Sequence, residues 1–197
     1  MLHNCLLYMT KKEKIESTAR ELFWKHGFKK VSVDEICKKA HVSRKTYYTY
    51  YANKSALVIS ILDKLTSEMM LIYNNIIDSD KSFSQKMHEM LVLKFERNKD
   101  FSMEFVADFF NPDAADILEY FNKMVAESMQ TTKEFFIKAQ EKGEMNPELN
   151  IDYVMWMMQK QMELCSLPEL MSMFPDAETM ARQISQSIVY GIMPITE

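Results

Sequence analysis

Apolar residues recur at three- and four-residue intervals through most of this 197-residue chain, in runs broken by recognisable punctuation. Beyond residue 52 the pattern predicts helices at about 53 to 78, 83 to 98, 101 to 110, 113 to 141, 148 to 166 and 176 to 191. The breaks are DSDKS, KD, NP, KGEMNP and LPELMSMFPD, the last with room for a short turn of helix. With 3 Gly and 5 Pro there is little material for hairpin turns, so the expected fold is all-α, with about nine helices.

Residues 31 to 57, VSVDEICKKAHVSRKTYYTYYANKSAL, carry the densest signal. Ser32 and Glu35 have the spacing of a capping box, which starts a helix at Val33. Val33, Ile36, Cys37 and Ala40 then form one apolar face, and Asp34, Glu35, Lys38 and Lys39 point elsewhere. The helix stops near Ala40, His41 and Val42 make the turn, and Ser43 caps a second helix from Arg44 to Tyr51. In that helix Tyr47 and Tyr51 share the core-facing side. Lys45, Tyr48 and Thr49 stand opposite, flanked by Arg44, Thr46 and Tyr50. Cationic and hydroxyl donors across an exposed helix face suit a phosphate-lined groove, which is the design of a helix-turn-helix DNA reader. Asn53 caps the following helix and puts Lys54 in its first turn, where free amides and the helix dipole favour an anion such as a DNA phosphate.

Charge is segregated in the same sense. Residues 1 to 60 hold 12 Lys/Arg against 5 Asp/Glu, a net of +7, and the remainder hold 12 against 23, a net of −11, which together give the chain's −4. A basic head on an acidic body confines the electrostatic footprint to the segment with the motif, as binding through phosphate neutralisation requires.

Residues 14 to 62 resemble the N-terminal domain of TetR-family transcriptional regulators. The marks are Ala19, Leu22 and Phe23 of a first helix, Gly27-Phe28 closing it, Ser32-Val33 opening the second and Val42-Ser43 opening the third. Thr46, Tyr48, Tyr51 and Asn53-Lys54 lead into the fourth. The resemblance implies a homodimer on the inverted repeat of a double-stranded DNA operator, released by a small effector. It implies backbone contacts from Ser32, Tyr48, Thr49, Tyr50 and Lys54, and groove contacts from Arg44, Lys45 and Thr46, with Ser43 at the head of the reading helix. The expected organisation is residues 1 to 8 as a disordered or overlong start with Met9 opening the natural chain, 9 to 53 as the helix-turn-helix domain, and 54 to 197 as a helical effector-binding and dimerisation domain. Three positions depart from the family pattern. His41 stands where Gly is usual, Lys45 where a small residue is common, and Tyr50 where His is frequent, so operator preference need not follow that of any relative.

Of 18 Met, 16 follow residue 60, among many Phe. Such adaptable, polarisable side chains suit an apolar ligand, although apolar residues at helical spacing are usually core. Phe105, Phe109, Tyr120, Met124, Met155 and Trp156 are the expected pocket lining. The stretch VMWMMQKQMELC is nearly apolar all round. With the last helix it is expected to supply the dimer interface through Met155, Met158, Met162, Ile184 and Ile188, as the resemblance also implies. The helix from Asn53 to about Ile77, about 37 Å long, is expected to act as a lever between effector and DNA.

Three Cys, at 5, 37 and 165, lack metal spacing, and their odd number at low density fits free thiols in a reducing cytoplasm. No apolar run approaches a membrane span, and MLHNCLLY lacks the features of a signal peptide. The four His are dispersed, and there is no Gly-rich phosphate loop, Glu-x-x-His pairing or His-Glu-x-x-His motif. An enzyme is therefore not expected, and no metal or cofactor is implied. An all-α interaction adaptor, whose basic head meets an acidic protein, is the principal alternative.

Overall fold

The computed structural model describes residues 9–98, 100–109, 114–164 and 167–192. Among them the structure is ten α-helices and no strand: α1 (Lys11–His26), α2 (Val33–Lys39), α3 (Arg44–Tyr50), α4 (Lys54–Ile77), α5 (Phe83–Asn98), α6 (Met103–Asp108), α7 (Ala115–Glu141), α8 (Ile151–Leu164), α9 (Pro168–Met171) and α10 (Ala177–Ile192). The all-α expectation holds, and the single turn α9 falls in the segment where a short helix was expected. The proposed start at residues 1 to 8 lies outside the described residues. No described helix is long and apolar enough to cross a membrane.

Two compact units are present. The first comprises Met1–Leu65 with Ser102–Tyr120, the second Thr66–Phe101 with Phe121–Glu197. The expected DNA-binding segment, 9 to 53, lies wholly inside the first unit.

In the first unit α1 begins at a full capping box, the Thr10 hydroxyl accepting from the Glu13 amide while the Glu13 carboxylate accepts from the Thr10 amide. Its buried residues Ile15, Ala19, Leu22 and Phe23 follow the helical repeat, and it ends at Gly27, whose φ of 76° lies where side chains are strained. Phe28, Val31, Ile36, Tyr47, Tyr51, Leu57 and Val58 are buried in the same unit, and Phe23 meets Phe28 edge-on at 6.4 Å. The short helix α6 is bolted onto the end of α1. The Ser102 amide donates to the Trp24 carbonyl (2.9 Å), and Phe105 lies 4.6 Å from the Trp24 ring. Phe109 meets Phe28 edge-on at 5.4 Å. The Asp108 carboxylate accepts from the Lys29 amide (2.8 Å), and a Cβ at Gly27 would come within 2.5 Å of that carboxylate oxygen, so this packing needs glycine twice over.

The core of the second unit is Phe83, Met87, Phe135, Phe136, Ala139, Met145 and Val154, with Phe83 5.3 Å from Phe135 and edge-on to Phe136 at 6.1 Å. Helix α7 ends in a Schellman arrangement around Gly143 (φ 71°), with Glu144 donating to the Ala139 carbonyl and Gly143 to that of Gln140. The Gln140 amide then ties down the next loop through the carbonyls of Asn146 and Leu149. Lys86 is buried. Its ammonium donates to the carbonyl of Ile77 (2.7 Å), placing a cation at the C-terminal end of α4.

Candidate nucleic-acid interface

The turn between α2 and α3 is a second Schellman arrangement. Val42 donates to the Cys37 carbonyl (3.0 Å) and His41 to that of Lys38 (3.3 Å), with His41 at φ 55°. At the corresponding position after α7 the chain has Gly143; here an imidazole occupies the left-handed conformation. The tight turn sends the chain into α3, where the Ser43 hydroxyl caps by accepting from the Thr46 amide (3.0 Å).

Helix α3 divides as expected. Tyr47 and Tyr51 are buried and touch at 5.8 Å. The Tyr47 hydroxyl donates to the Asn53 carbonyl (3.3 Å), and Tyr51 donates to Glu16 of α1 (2.6 Å). Burial pushes the Tyr47 phenol up to about 12, and burial together with the Glu16 hydrogen bond raises that of Tyr51 still further. Arg44, Lys45, Tyr48, Thr49 and Tyr50 are exposed on the other side. This exposed face therefore stands on a pair of aromatic rings, one bonded to α1 through Glu16 and the other to the carbonyl of Asn53 at the head of α4.

The hydroxyls on this face are partly committed. Ser32 accepts from the Glu35 amide (3.2 Å), one of the two bonds expected of a capping box there. Ser43 and Thr46 share a hydrogen bond at 3.0 Å. Thr49 donates its hydroxyl to the carbonyl of Lys45 (2.9 Å), so a phosphate must compete for that proton.

Lys54 behaves unlike a simple phosphate ligand. Its half-buried ammonium donates to the carbonyls of Lys29 (3.0 Å) and Val31 (2.8 Å), and burial lowers its pKa against an opposing pull from Asp108. The loop between α1 and α2 is thus held from two sides, by Lys54 on its carbonyls and by Asp108 on its amide. Asn53 caps α4 by accepting from the Ala56 amide (2.8 Å).

Sequence reasoning missed Asp34 and Asp108. Arg44 Nη1 lies 3.0 and 3.1 Å from the two Asp34 carboxylate oxygens, and its guanidinium sits 5.8 Å over the Tyr48 ring. Ten residues separate this pair and 79 separate Asp108 from Lys29, beyond any helical repeat. The available signal for Asp34 was an acidic pair, Asp34 and Glu35, at the head of a helix that ends in two lysines.

The expected effector residues are shared between the two units, three in each. Phe105 and Phe109 are core of the first unit, against Trp24 and Phe28, and Tyr120 of that unit donates to Asp63 (3.1 Å). In the second unit Met124 accepts from the Thr66 hydroxyl (2.8 Å) and Met155 packs on the core cluster, whereas Trp156 is 53% exposed and stacks on Tyr153 at 6.3 Å.

Of the expected interface residues, Met155 and Met158 also pack on their own core, and Ile184 is half-buried. The side chains of Met162 and Ile188 lie outside the described residues. Among the described residues, the large apolar side chains that α8 exposes are Tyr153, Trp156 and Leu164, within about one quarter of the helix circumference at 100° per residue.

With this geometry in place, residues 15–61 match the family described as bacterial regulatory proteins, tetR family. The transcriptional regulator EthR of Mycolicibacterium smegmatis is 34% identical over 65 residues, which is 33% of this chain and 30% of EthR. The regulator YdgC of Bacillus subtilis is 24% identical across 94% of this chain and 93% of its own. This chain spans 22% to 43% of the length of three curated relatives, EthR among them. The fold is similar to that of FadR from Bacillus subtilis, solved in complex with stearoyl-CoA, with TM-score 0.70 and 16% identity over 91% of this chain and 98% of that one. Residues 15–61 are thus a segment of the kind found in the bacterial regulatory proteins of the tetR family.

Proposed function

We propose that this protein is a dimeric transcriptional repressor that reads an inverted repeat through α3 and releases it when a small apolar effector binds the second unit. The observation that carries the reading is the division of α3: two buried tyrosines anchor one side, and Arg44, Lys45, Tyr48 and Tyr50 are presented together on the other. An exposed cationic and hydroxyl-bearing helix face, set rigidly after a tight turn, is what major-groove entry needs. Work on DNA would place the protein in the cytoplasm.

The effector reading rests on the Met- and Phe-rich second unit and on the likeness to a FadR that holds stearoyl-CoA. A long-chain acyl thioester is the first compound to test, with the neighbourhood of Thr66 and Met124 as candidate lining. Helix α4 contributes residues to both units and is the candidate route of communication. For the dimer, the exposed Tyr153, Trp156 and Leu164 stripe is the candidate face for a second copy.

Selection from a random pool of duplexes tests the function directly. Enrichment of a short inverted repeat, bound with a steep salt dependence, is expected. Titration with stearoyl-CoA, with and without that repeat, should then give two affinities differing by the same factor by which the thioester weakens DNA binding. Binding of the basic head to duplex without sequence selection would overturn the regulator reading.

A further inference from the structure

Arg44 opens α3 on the DNA-reading face, yet its side chain is already held in the free protein. Nη1 lies between both oxygens of Asp34 at 3.0 and 3.1 Å, and the guanidinium is 5.8 Å over the face of Tyr48. Tyr48 in turn stands edge-on to the fully buried Tyr47 at 5.3 Å, so the ring beneath the arginine rests on core. An exposed ion pair contributes little to stability, and these side chains are 61% and 66% exposed. What the pair does is restrict a long side chain whose rotamer freedom would otherwise be lost on binding. Gripping guanine O6 and N7 takes two N–H groups of the five that a guanidinium carries, and the carboxylate engages Nη1.

We infer that Asp34 is a positioning residue for base reading: from the head of α2 it holds the Arg44 guanidinium, over the Tyr48 ring, in the orientation that meets a base edge. This rests on the DNA-reading function proposed above. The competing role for a carboxylate at this place is electrostatic. It would repel phosphates and complement the α2 dipole, weakening DNA binding without regard to sequence.

The two roles separate in a selection from random duplexes carried out with the full chain and with Asp34→Asn, Arg44→Ala and the double variant. A positioning role flattens the base preference of Asp34→Asn at the same operator position that Arg44→Ala flattens, by roughly 5- to 150-fold in discrimination, and the double variant is no flatter than Arg44→Ala. Affinity of Asp34→Asn for bulk genomic duplex rises slightly, because a negative charge is gone. An unchanged motif with uniformly tighter binding, or flattening at a different position that survives in the Arg44→Ala background, would overturn the inference while leaving the DNA-reading function intact. A wild-type pool with no enriched motif would overturn that function and the inference with it. Equal thermal stability of Asp34→Asn and the parent protein shows that any lost preference is not unfolding.

Discussion

The carboxylate of Asp108 accepts a hydrogen bond from the backbone amide of Lys29, at 2.8 Å, across 79 residues of sequence. The same oxygen occupies the space that a side chain at Gly27 would need. Two substitutions test how these are coupled. Gly27→Ala should destabilise by about 1 to 3 kcal/mol, since both the backbone conformation and the contact with Asp108 are strained. In an Asp108→Ala background the carboxylate contact vanishes, while the backbone strain and the approach to the Glu104 carbonyl at 3.2 Å remain, so the added loss from Gly27→Ala should shrink without disappearing. Urea unfolding of the four proteins reads the coupling, and strictly additive losses would contradict it.

His41 takes the left-handed position of a Schellman turn that Gly143 takes after α7. His41→Gly should therefore raise stability by about 0.5 to 1 kcal/mol, the relief of left-handed strain less the extra freedom of glycine in the unfolded chain. Denaturant midpoints check this; a lower midpoint would mean the imidazole makes a compensating contact.

Lys54 and Lys45 should separate into different kinds of DNA residue. Lys45 is exposed on α3, so Lys45→Ala should leave stability alone and lower the salt slope by about one. Lys54→Ala frees two carbonyls of the α1–α2 loop and should cost about 1 to 3 kcal/mol of stability as well as affinity. Salt titrations of binding, run beside thermal melts, distinguish the two; an unchanged melt for Lys54→Ala would count against the loop-holding role.

Alkaline unfolding follows from the buried tyrosines. Tyr47 is pushed up to about 12 in the folded protein from an ordinary value near 10, and Tyr51 is raised as well. Folded pKa values above the unfolded ones mean that the unfolded chain loses its protons first. Stability is fully present below pH ~10 and is lost as pH rises through the folded values. Tyrosinate absorbance and helix content should change together above pH ~10, and Tyr51→Phe should blunt the pH dependence while removing the bond to Glu16.

On α8, Trp156→Asp should lower the dimer fraction in sedimentation with little loss of folding, whereas Met158→Ala should lower stability by about 2 kcal/mol with the assembly intact. The opposite pattern would put the interface on the methionine face.

Local chemistry was legible in the sequence wherever it is local in space. Ser43 and Asn53 cap the helices their positions suggest, and Tyr47 and Tyr51 turn inward while Tyr48 and Tyr50 do not. Periodicity reports that a residue is buried but not what it is buried against. Phe105 and Phe109 were expected to line an effector pocket on their spacing alone, which could not show that Phe105 lies against Trp24 and Phe109 against Phe28. Helix α8 is apolar on nearly every side, so nothing in its pattern distinguished Met158 from Trp156; only the position of the Phe83 cluster decides. The ion pair of Asp34 with Arg44 and the grip of Lys54 on the loop depend on how helices meet, which no spacing rule contains.

The attachment of α6 to the end of α1 has a bearing on protein engineering. The first unit is discontinuous in sequence, and residues 102 to 120 belong to it as fully as α1 does. Cutting the chain after Leu65 would strip Phe105 and Phe109 from Trp24 and Phe28, and would leave the Lys29 amide without its carboxylate. A chimera made by transplanting the first 65 residues onto a foreign body would carry an uncovered aromatic surface and an unbraced loop between α1 and α2. A graft that brings the α6 segment along would carry its own closure.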